Sequence, residues 1–162
     1  MVIRKAELKD LNKLKDIYNY EVLNGTATFD IGEKDYEDRL SWFNEHTGSH
    51  PLIVAEVDNE VAGFASLSTY RARAAFNGTV ELSLYIDVSK RKMGIATKLM
   101  EHILNLARID ENIHTVVSVI TSENEVSIRL HEKFDFIKCG EIKEVGKKFG
   151  RYLGTTIMQI MV

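Results

Sequence analysis

Three groups of residues in this sequence have the types and the spacing to carry chemistry. The first is Lys90-Arg91-Lys92-Met93-Gly94-Ile95-Ala96, a basic run between a strand-like stretch, Val80 to Val88, and a helix-like stretch, Thr97 to Ala107. A loop at a strand-to-helix junction can hold phosphate, because the first N–H groups of a helix lack partners and the helix dipole adds positive potential there. Gly94 and Ala96 let an anion approach the backbone closely, while Arg91 and Lys92 bring whole charges. A solvated basic turn is the plainer alternative. Neither G-x-x-x-x-G-K-[ST] nor G-x-G-x-x-G occurs in the chain, which argues against a nucleoside-triphosphate or dinucleotide loop.

The second group is Asn124, Ser127 and His131, which fall on one arc of a helix at i, i+3 and i+7. Val126, Leu130 and Phe134 take another face and are expected in the core; a solvated polar stripe is the alternative for the first three. The third group lies on the strand before the basic loop. There Val80, Leu82, Leu84 and Ile86 face one way, and Glu81, Ser83 and Tyr85 the other. A carboxylate on a strand covered by helices on both sides needs a reason, either a polar cleft or a salt bridge at the sheet margin.

The elements that must position these groups follow from periodicity. Val2–Lys5 reads as a strand, and Leu8, Leu11, Leu14, Ile17 and Tyr18 recur at helical spacing with Asp10 as N-cap. A polar passage, residues 24–30, leads to a second helix around Tyr36–Phe43. Strands at Leu52–Val57 and Val61–Thr69 flank the turn Asp58-Asn59-Glu60. After a loop from Tyr70 to Gly78 come the strand with Glu81, a helix (97–108), a strand (115–120), a helix (124–134) and two strands (about 136–145 and 152–161). The order β-α-α-β-β-β-α-β-α-β-β implies one α/β domain over residues 1–162. Its mixed sheet is antiparallel early and parallel in the middle, with helices on both faces.

Composition narrows the class further. Hydrophobic residues make up 44% and charged residues 28% of the 162 residues, which are globular values. A net charge of −3 gives no long-range reason to expect nucleic acid. The single cysteine, Cys139, has no internal partner, no Cys/His spacing suggests a metal, and no apolar run approaches a membrane span. A cytoplasmic protein is expected. His46, His50, His102 and His114 read as surface or capping residues.

The pattern R-x-x-G-x-A at Arg91–Ala96 resembles the [QR]-x-x-G-x-[GA] signature of the GNAT acetyltransferases. Asn124-x-x-Ser127-x-x-Leu130-His131-Glu132-Lys133-Phe134-Asp135-Phe136 is similar to a second motif of that family, except that Asp135 replaces the usual glycine. Tyr70-Arg71-Ala72-Arg73-Ala74-Ala75-Phe76 through Thr79-Val80-Glu81 resembles one branch, the phosphinothricin and methionine sulfoximine/sulfone N-acetyltransferases. Thr26-Ala27-Thr28-Phe29 and the run Gly146–Tyr152 extend the likeness, although Tyr152 replaces a tryptophan and Gly154 stands where many relatives have aspartate.

The resemblance implies the GNAT fold, with a central sheet that splays open to admit coenzyme A, and acetyl-CoA as co-substrate without a metal. It implies cofactor contacts from Ile86, Val88, Arg91, Lys92, Gly94, Ile95, Ala96, Thr97, Asn124 and Ser127. Glu81 would be the base that deprotonates the acceptor amine, backbone N–H groups from Ile86 to Val88 would meet the oxyanion, and His131 would donate a proton to the departing thiolate. Arg71 and Arg73 would grip an acceptor carboxylate, and Phe29, Tyr85 and Tyr152 would line its pocket. The expected partner is a small amine, with neither nucleic acid nor membrane involved and a homodimer as the assembly. Rivals are an acetyltransferase of protein N-termini or lysines and a non-catalytic acyl-CoA-binding module.

Overall fold

A computed structural model describes all of residues 1–162. Its elements are β1 (Val2–Lys5), α1 (Leu11–Asn24), α2 (Tyr36–Glu45), β2 (Leu52–Val57), β3 (Glu60–Thr69), β4 (Thr79–Ile86), α3 (Ile95–Ile109), β5 (Thr115–Thr121), α4 (Glu125–Lys133), β6 (Ile137–Lys148) and β7 (Arg151–Met161). The element order is the expected one. The seven strands form one sheet in the order β1-β2-β3-β4-β5-β7-β6. Every neighbouring pair is antiparallel except β4 and β5, which are parallel and joined through α3. The turn between β2 and β3 has Asp58 and Asn59 at φ 53° and 63°, the left-handed pair that matches the twist of a tight hairpin.

Two apolar layers cover the sheet. On one side α3 places Ile95, Leu99, Met100, Ile103, Leu104 and Ala107 against Val80, Leu82, Val116 and Ile120. On the other, Leu14 and Ile17 of α1 meet Leu52, Val54 and Phe64, with Trp42, Phe43 and Tyr85 packed alongside. The alternation of β4 is therefore as read, with Val80 and Leu82 under α3 and Tyr85 under α1 and α2. Burying each large side chain stabilises the fold by about 1.5–3 kcal/mol before entropy is counted, and the two layers fix the height of β4 between them.

The local differences from the sequence reading have physical causes. Leu8 lies in a short 3-10 turn ahead of α1 and stays 54% exposed. Asp10 precedes α1 but caps no N–H of that helix. Its carboxylate instead accepts from Arg4 at 2.7 Å and from the Glu7 N–H at 2.8 Å. The helix of the basic loop begins at Ile95, two residues earlier than read, because Gly94 takes the N-cap position. Val126 is 74% exposed, so it is not a core residue, and Ile128 packs on the core with Leu130 and Phe134 in its place. Asp135, where the family motif usually has glycine, is left-handed at φ 65°. Aspartate tolerates that conformation at a cost of about 1 kcal/mol.

Candidate active site

The sheet opens at its middle. β4 and β5 pair only at Thr79–Thr115, Val80–Val116 and Glu81–Val117, and β4 then continues to Ile86 with no partner on that side. The Asp87 N–H donates to the Ala62 carbonyl at 2.9 Å, on the β3 side. Alternation along the strand therefore turns the Leu84 and Ile86 N–H groups toward the opening. Val88 lies beyond the strand in a short 3-10 turn and is exposed.

At the mouth of this opening stands the N-terminus of α3. Gly94 sits at φ 76° with no side-chain cap, and the first backbone bond into the helix runs from Lys98 N–H to the Gly94 carbonyl. The N–H groups of Ile95, Ala96 and Thr97 are thus left free to receive an anion. Lys92 is also left-handed, at φ 64°, and is exposed. Arg91 behaves differently from the expectation, because its guanidinium pairs with the buried carboxylate of Glu21 on α1. The whole charge facing an incoming phosphate is then that of Lys92.

On the face beneath α1 and α2, Glu81, Ser83 and Tyr85 form the floor of a cleft. Glu81 is half-buried, has no ion pair or side-chain hydrogen bond, and burial raises its carboxyl above the usual range. Tyr85 stacks edge-on against Tyr18 with ring centroids 5.2 Å apart, and burial raises its phenol. Tyr18 shares a hydrogen bond with Thr28 Oγ1 at 2.9 Å and donates to Asp30 at 2.7 Å, and burial pushes its own phenol up to about 12.

One wall of the cleft is the segment after α1, and the β6–β7 hairpin holds it in place. A Cβ on Gly146 would lie 2.4 Å from the Phe29 ring, so the ring fills the space that only glycine leaves. Lys148, 3% exposed, donates from Nζ to the carbonyls of Glu21 (3.0 Å) and Thr28 (2.9 Å). Burial lowers its ammonium pKa. Thr121 donates to the Thr26 carbonyl, and Glu123 bridges Thr26 and Arg151. Tyr152 is exposed on β7 beside Lys147. At Gly154 any Cβ would come within 2.9 Å of the Ile142 carbonyl, which explains why this chain has no acid there.

The remaining site residues divide. Arg71 and Arg73 sit on the exposed loop leading into β4; Arg71 lies over the rings of Tyr70 and Phe76, and Arg73 makes no ion pair. Asn124 and Ser127 occupy the start of α4, with Asn124 Oδ1 accepting from the Ser127 N–H at 3.2 Å as the helix cap. His131 is at odds with its expected role. It is 4% exposed, with Nδ1 2.7 Å from the Ser127 carbonyl and Nε2 2.9 Å from Ser118 Oγ. The carbonyl requires N–H at Nδ1, so Nε2 accepts from Ser118, and burial lowers the ring's pKa. A ring engaged at both nitrogens ties α4 to β5.

Two contributors escaped the sequence reading: Glu21 and Lys148. Glu21 had a signal, since it continues the apolar spacing Leu14–Ile17–Tyr18 yet carries a charge. Lys148 had none.

The sequence profile described as "Acetyltransferase (GNAT) domain" matches residues 3–157. The chain belongs to this acetyltransferase family. Among its relatives, an L-methionine sulfoximine/L-methionine sulfone acetyltransferase of Pseudomonas paraeruginosa is 36% identical over 160 residues, covering 98% of this chain and 92% of that protein. A crystal structure described as a ribosomal-protein-alanine N-acetyltransferase from Brucella melitensis superposes with a TM-score of 0.96 at 35% identity, covering 100% of both chains. The Salmonella typhimurium structure of yncA, a putative acetyltransferase with its cofactor acetyl-CoA, gives 0.95 at 34% identity, covering 99% and 93%.

As a GNAT acetyltransferase the chain takes acetyl-CoA as co-substrate, and its residues fit that molecule. The open flank of β4 presents two free N–H groups for the pantetheine arm. The uncapped start of α3 presents three more where a pyrophosphate would lie, beside Lys92. No cluster of three or more His, Cys, Asp or Glu side chains forms a metal site, and no helix is long and apolar enough to cross a membrane.

Proposed function

We propose that this GNAT acetyltransferase moves the acetyl group of acetyl-CoA to the primary amine of a small amino-acid-like acceptor of the methionine sulfone, methionine sulfoximine or phosphinothricin type. The observation that carries the reading is Glu81, an unpaired, half-buried carboxylate on the strand that forms one lip of the opening. Bound acetyl-CoA supplies the acetyl group already activated as a thioester. An α-amino group has a pKa of about 8, so a carboxylate raised by burial can take its proton with a modest uphill step. The Ile86 N–H, nearer the end of the strand, would meet the thioester oxygen as it gains charge, leaving that of Leu84 to the pantetheine arm. A thiolate with a pKa of about 8.5 departs without a protein acid, consistent with a neutral, occupied His131.

Arg71 and Arg73 supply the carboxylate grip, and Phe29 and Tyr85 the pocket lining. The walls clamped by Lys148 and the Phe29–Gly146 contact favour a small acceptor over a protein tail. The Brucella likeness keeps protein N-termini as the second reading. In this proposal the enzyme is cytoplasmic and a homodimer, with the exposed apolar residues Ile137, Ile142 and Val145 of β6 facing the second copy.

The test is acetyl-CoA consumption across free amino acids, methionine sulfone, methionine sulfoximine, phosphinothricin, carboxylate-free amines and peptides. Arg73→Ala should cost amino-acid acceptors about ten- to a hundredfold in kcat/KM, the loss of one charge-assisted pair, and leave carboxylate-free amines nearly unaffected. Equal losses for both, or a parent preference for peptides, would remove the amino-acid reading.

A further inference from the structure

Glu21 is an acid where the fold gives an acid little reason to be. It is 7% exposed in the last turn of α1, where the helix dipole disfavours negative charge. Its partner is Arg91, the first residue of the R-x-x-G-x-A pattern, on the loop between β4 and α3. The Arg91 guanidinium also lies over the Tyr20 ring, 5.8 Å from its centroid, so two neighbouring residues of α1 hold it. Lys13 of the same helix pairs with Asp87, so α1 is fastened to both ends of residues 87–91. Gly25 leaves room for the Glu21 carboxylate. A Cβ at that position would stand 2.0 Å from Glu21 Oε2, although its φ of −123° suits any residue.

From Glu21 the bonds continue into the acceptor wall. The Glu21 carbonyl accepts from the Gly25 N–H at 3.0 Å and from Lys148 Nζ at 3.0 Å, and Lys148 also donates to the Thr28 carbonyl at 2.9 Å. Phe29 follows directly, its ring seated against Gly146. A continuous path thus runs from the loop at the cofactor mouth to an aromatic side chain of the acceptor pocket. Other ties on this segment, from Thr121 and Glu123, come from β5 and the turn after it. Arg91 supplies the tie from the cofactor loop.

We propose that the Arg91–Glu21 pair is a strut that sets the acceptor wall, so that the signature arginine acts in this chain as a positioning residue for the acceptor and not as a phosphate ligand. The inference rests on the acceptor lying against residues 26–30, as in the function proposed above. The phosphate is left to the free N–H groups of Ile95, Ala96 and Thr97 and to Lys92. With acetyl-CoA in place Arg91 stays on Glu21, because its departure would strand a buried carboxylate without a partner. Stability alone is a weak reason for such a pair, since apolar side chains of similar size serve as well. Fixing the distance between the cofactor loop and the acceptor wall needs a directional contact, and a guanidinium on a carboxylate provides one.

The experiment measures the acetyl-CoA Kd by calorimetry, and acceptor KM and kcat at saturating acetyl-CoA with the acceptor that the parent takes best. Glu21→Gln breaks the pair with almost no change of shape, and Gly25→Ala breaks it with no change of charge. Each should raise acceptor KM about tenfold, the loss of one charge-assisted contact, while kcat stays within about twofold and the acetyl-CoA Kd does not rise. Arg91→Gln should raise acceptor KM about tenfold in the parent and less than about twofold in the Glu21→Gln background, because both residues act through one contact. Arg91→Gln alone strands the Glu21 carboxylate, so if it fails to fold, the double variant, which strands no charge, is compared with Glu21→Gln instead. An acceptor KM within twofold of the parent for either Glu21→Gln or Gly25→Ala, an additive cycle, or acceptor KM and acetyl-CoA Kd that rise together would overturn the strut. So would a loss of acetyl-CoA affinity of tenfold or more in the double variant, which would return Arg91 to the phosphate. The two levels separate. A parent that prefers peptides removes the amino-acid reading, whereas the strut is judged by the cycle on whichever acceptor is used.

Discussion

Lys148→Met tests whether the acceptor wall is held by the bonds that the structure shows. The lysine is buried, and its ammonium donates to the Glu21 and Thr28 carbonyls at 3.0 and 2.9 Å. Hydrogen bonds from a charged donor are worth about 1.5–3 kcal/mol each, so the pair contributes about 3–6 kcal/mol gross. Against this stands the desolvation of the ammonium, visible in its lowered pKa, which methionine of similar length removes. The net loss should be about 2–3 kcal/mol, with both carbonyls left buried and unpaired. For a chain of 162 residues, each kcal/mol moves Tm by about 2–4 °C, so the melt should fall by about 4–12 °C. Thr28 adjoins Phe29, so the loosened segment should raise acceptor KM about tenfold and leave acetyl-CoA affinity within twofold. Thermal melts by circular dichroism and titrations of both substrates give the three numbers. An unchanged or higher Tm with the parent's acceptor KM would mean that burial of the ammonium outweighs its bonds, and that the wall is held by Phe29 and Gly146 alone.

Two further outcomes follow from the same geometry. Gly94→Glu should weaken acetyl-CoA at least tenfold by calorimetry, because a carboxylate would stand beside free helix N–H groups. Gly94→Ala introduces the same left-handed strain at φ 76°, with open space for the Cβ, and should lose far less; equal losses would show that strain alone is at work. His46 and His131 are both lowered from 6.5, so the unfolded chain takes up those protons first as the pH falls. The stability held by the neutral rings is complete above about 6.5 and is lost on acidification below it. Urea unfolding between pH 7.5 and 5.5 should show this fall, and the His46→Gln/His131→Gln double variant should flatten it; an undiminished slope would assign it to other groups.

What the sequence made legible was whatever depends on local pattern. The alternation of β4 needs only period two and a covering layer on each side, so Glu81 and Tyr85 could be placed on the cleft face from the strand alone. The start of α3 was legible because a small residue before an apolar helical repeat leaves N–H groups uncovered whatever packs above. What stayed hidden depends on contacts between distant segments. Arg91 reads as a phosphate ligand until α1 brings Glu21 beside it, seventy positions away in the chain. His131 reads as part of a polar stripe until Ser118 of β5 and the Ser127 carbonyl engage both ring nitrogens. His46 reads as a loop residue until the Trp42 carbonyl and Ser68 of β3 engage both ring nitrogens. In all three cases the side-chain type was right for chemistry and its partner decided the role. A ring or guanidinium that the fold already satisfies positions its neighbours, whereas the fold leaves Glu81 unpaired beside the open seam, which is why the proposed function rests on it.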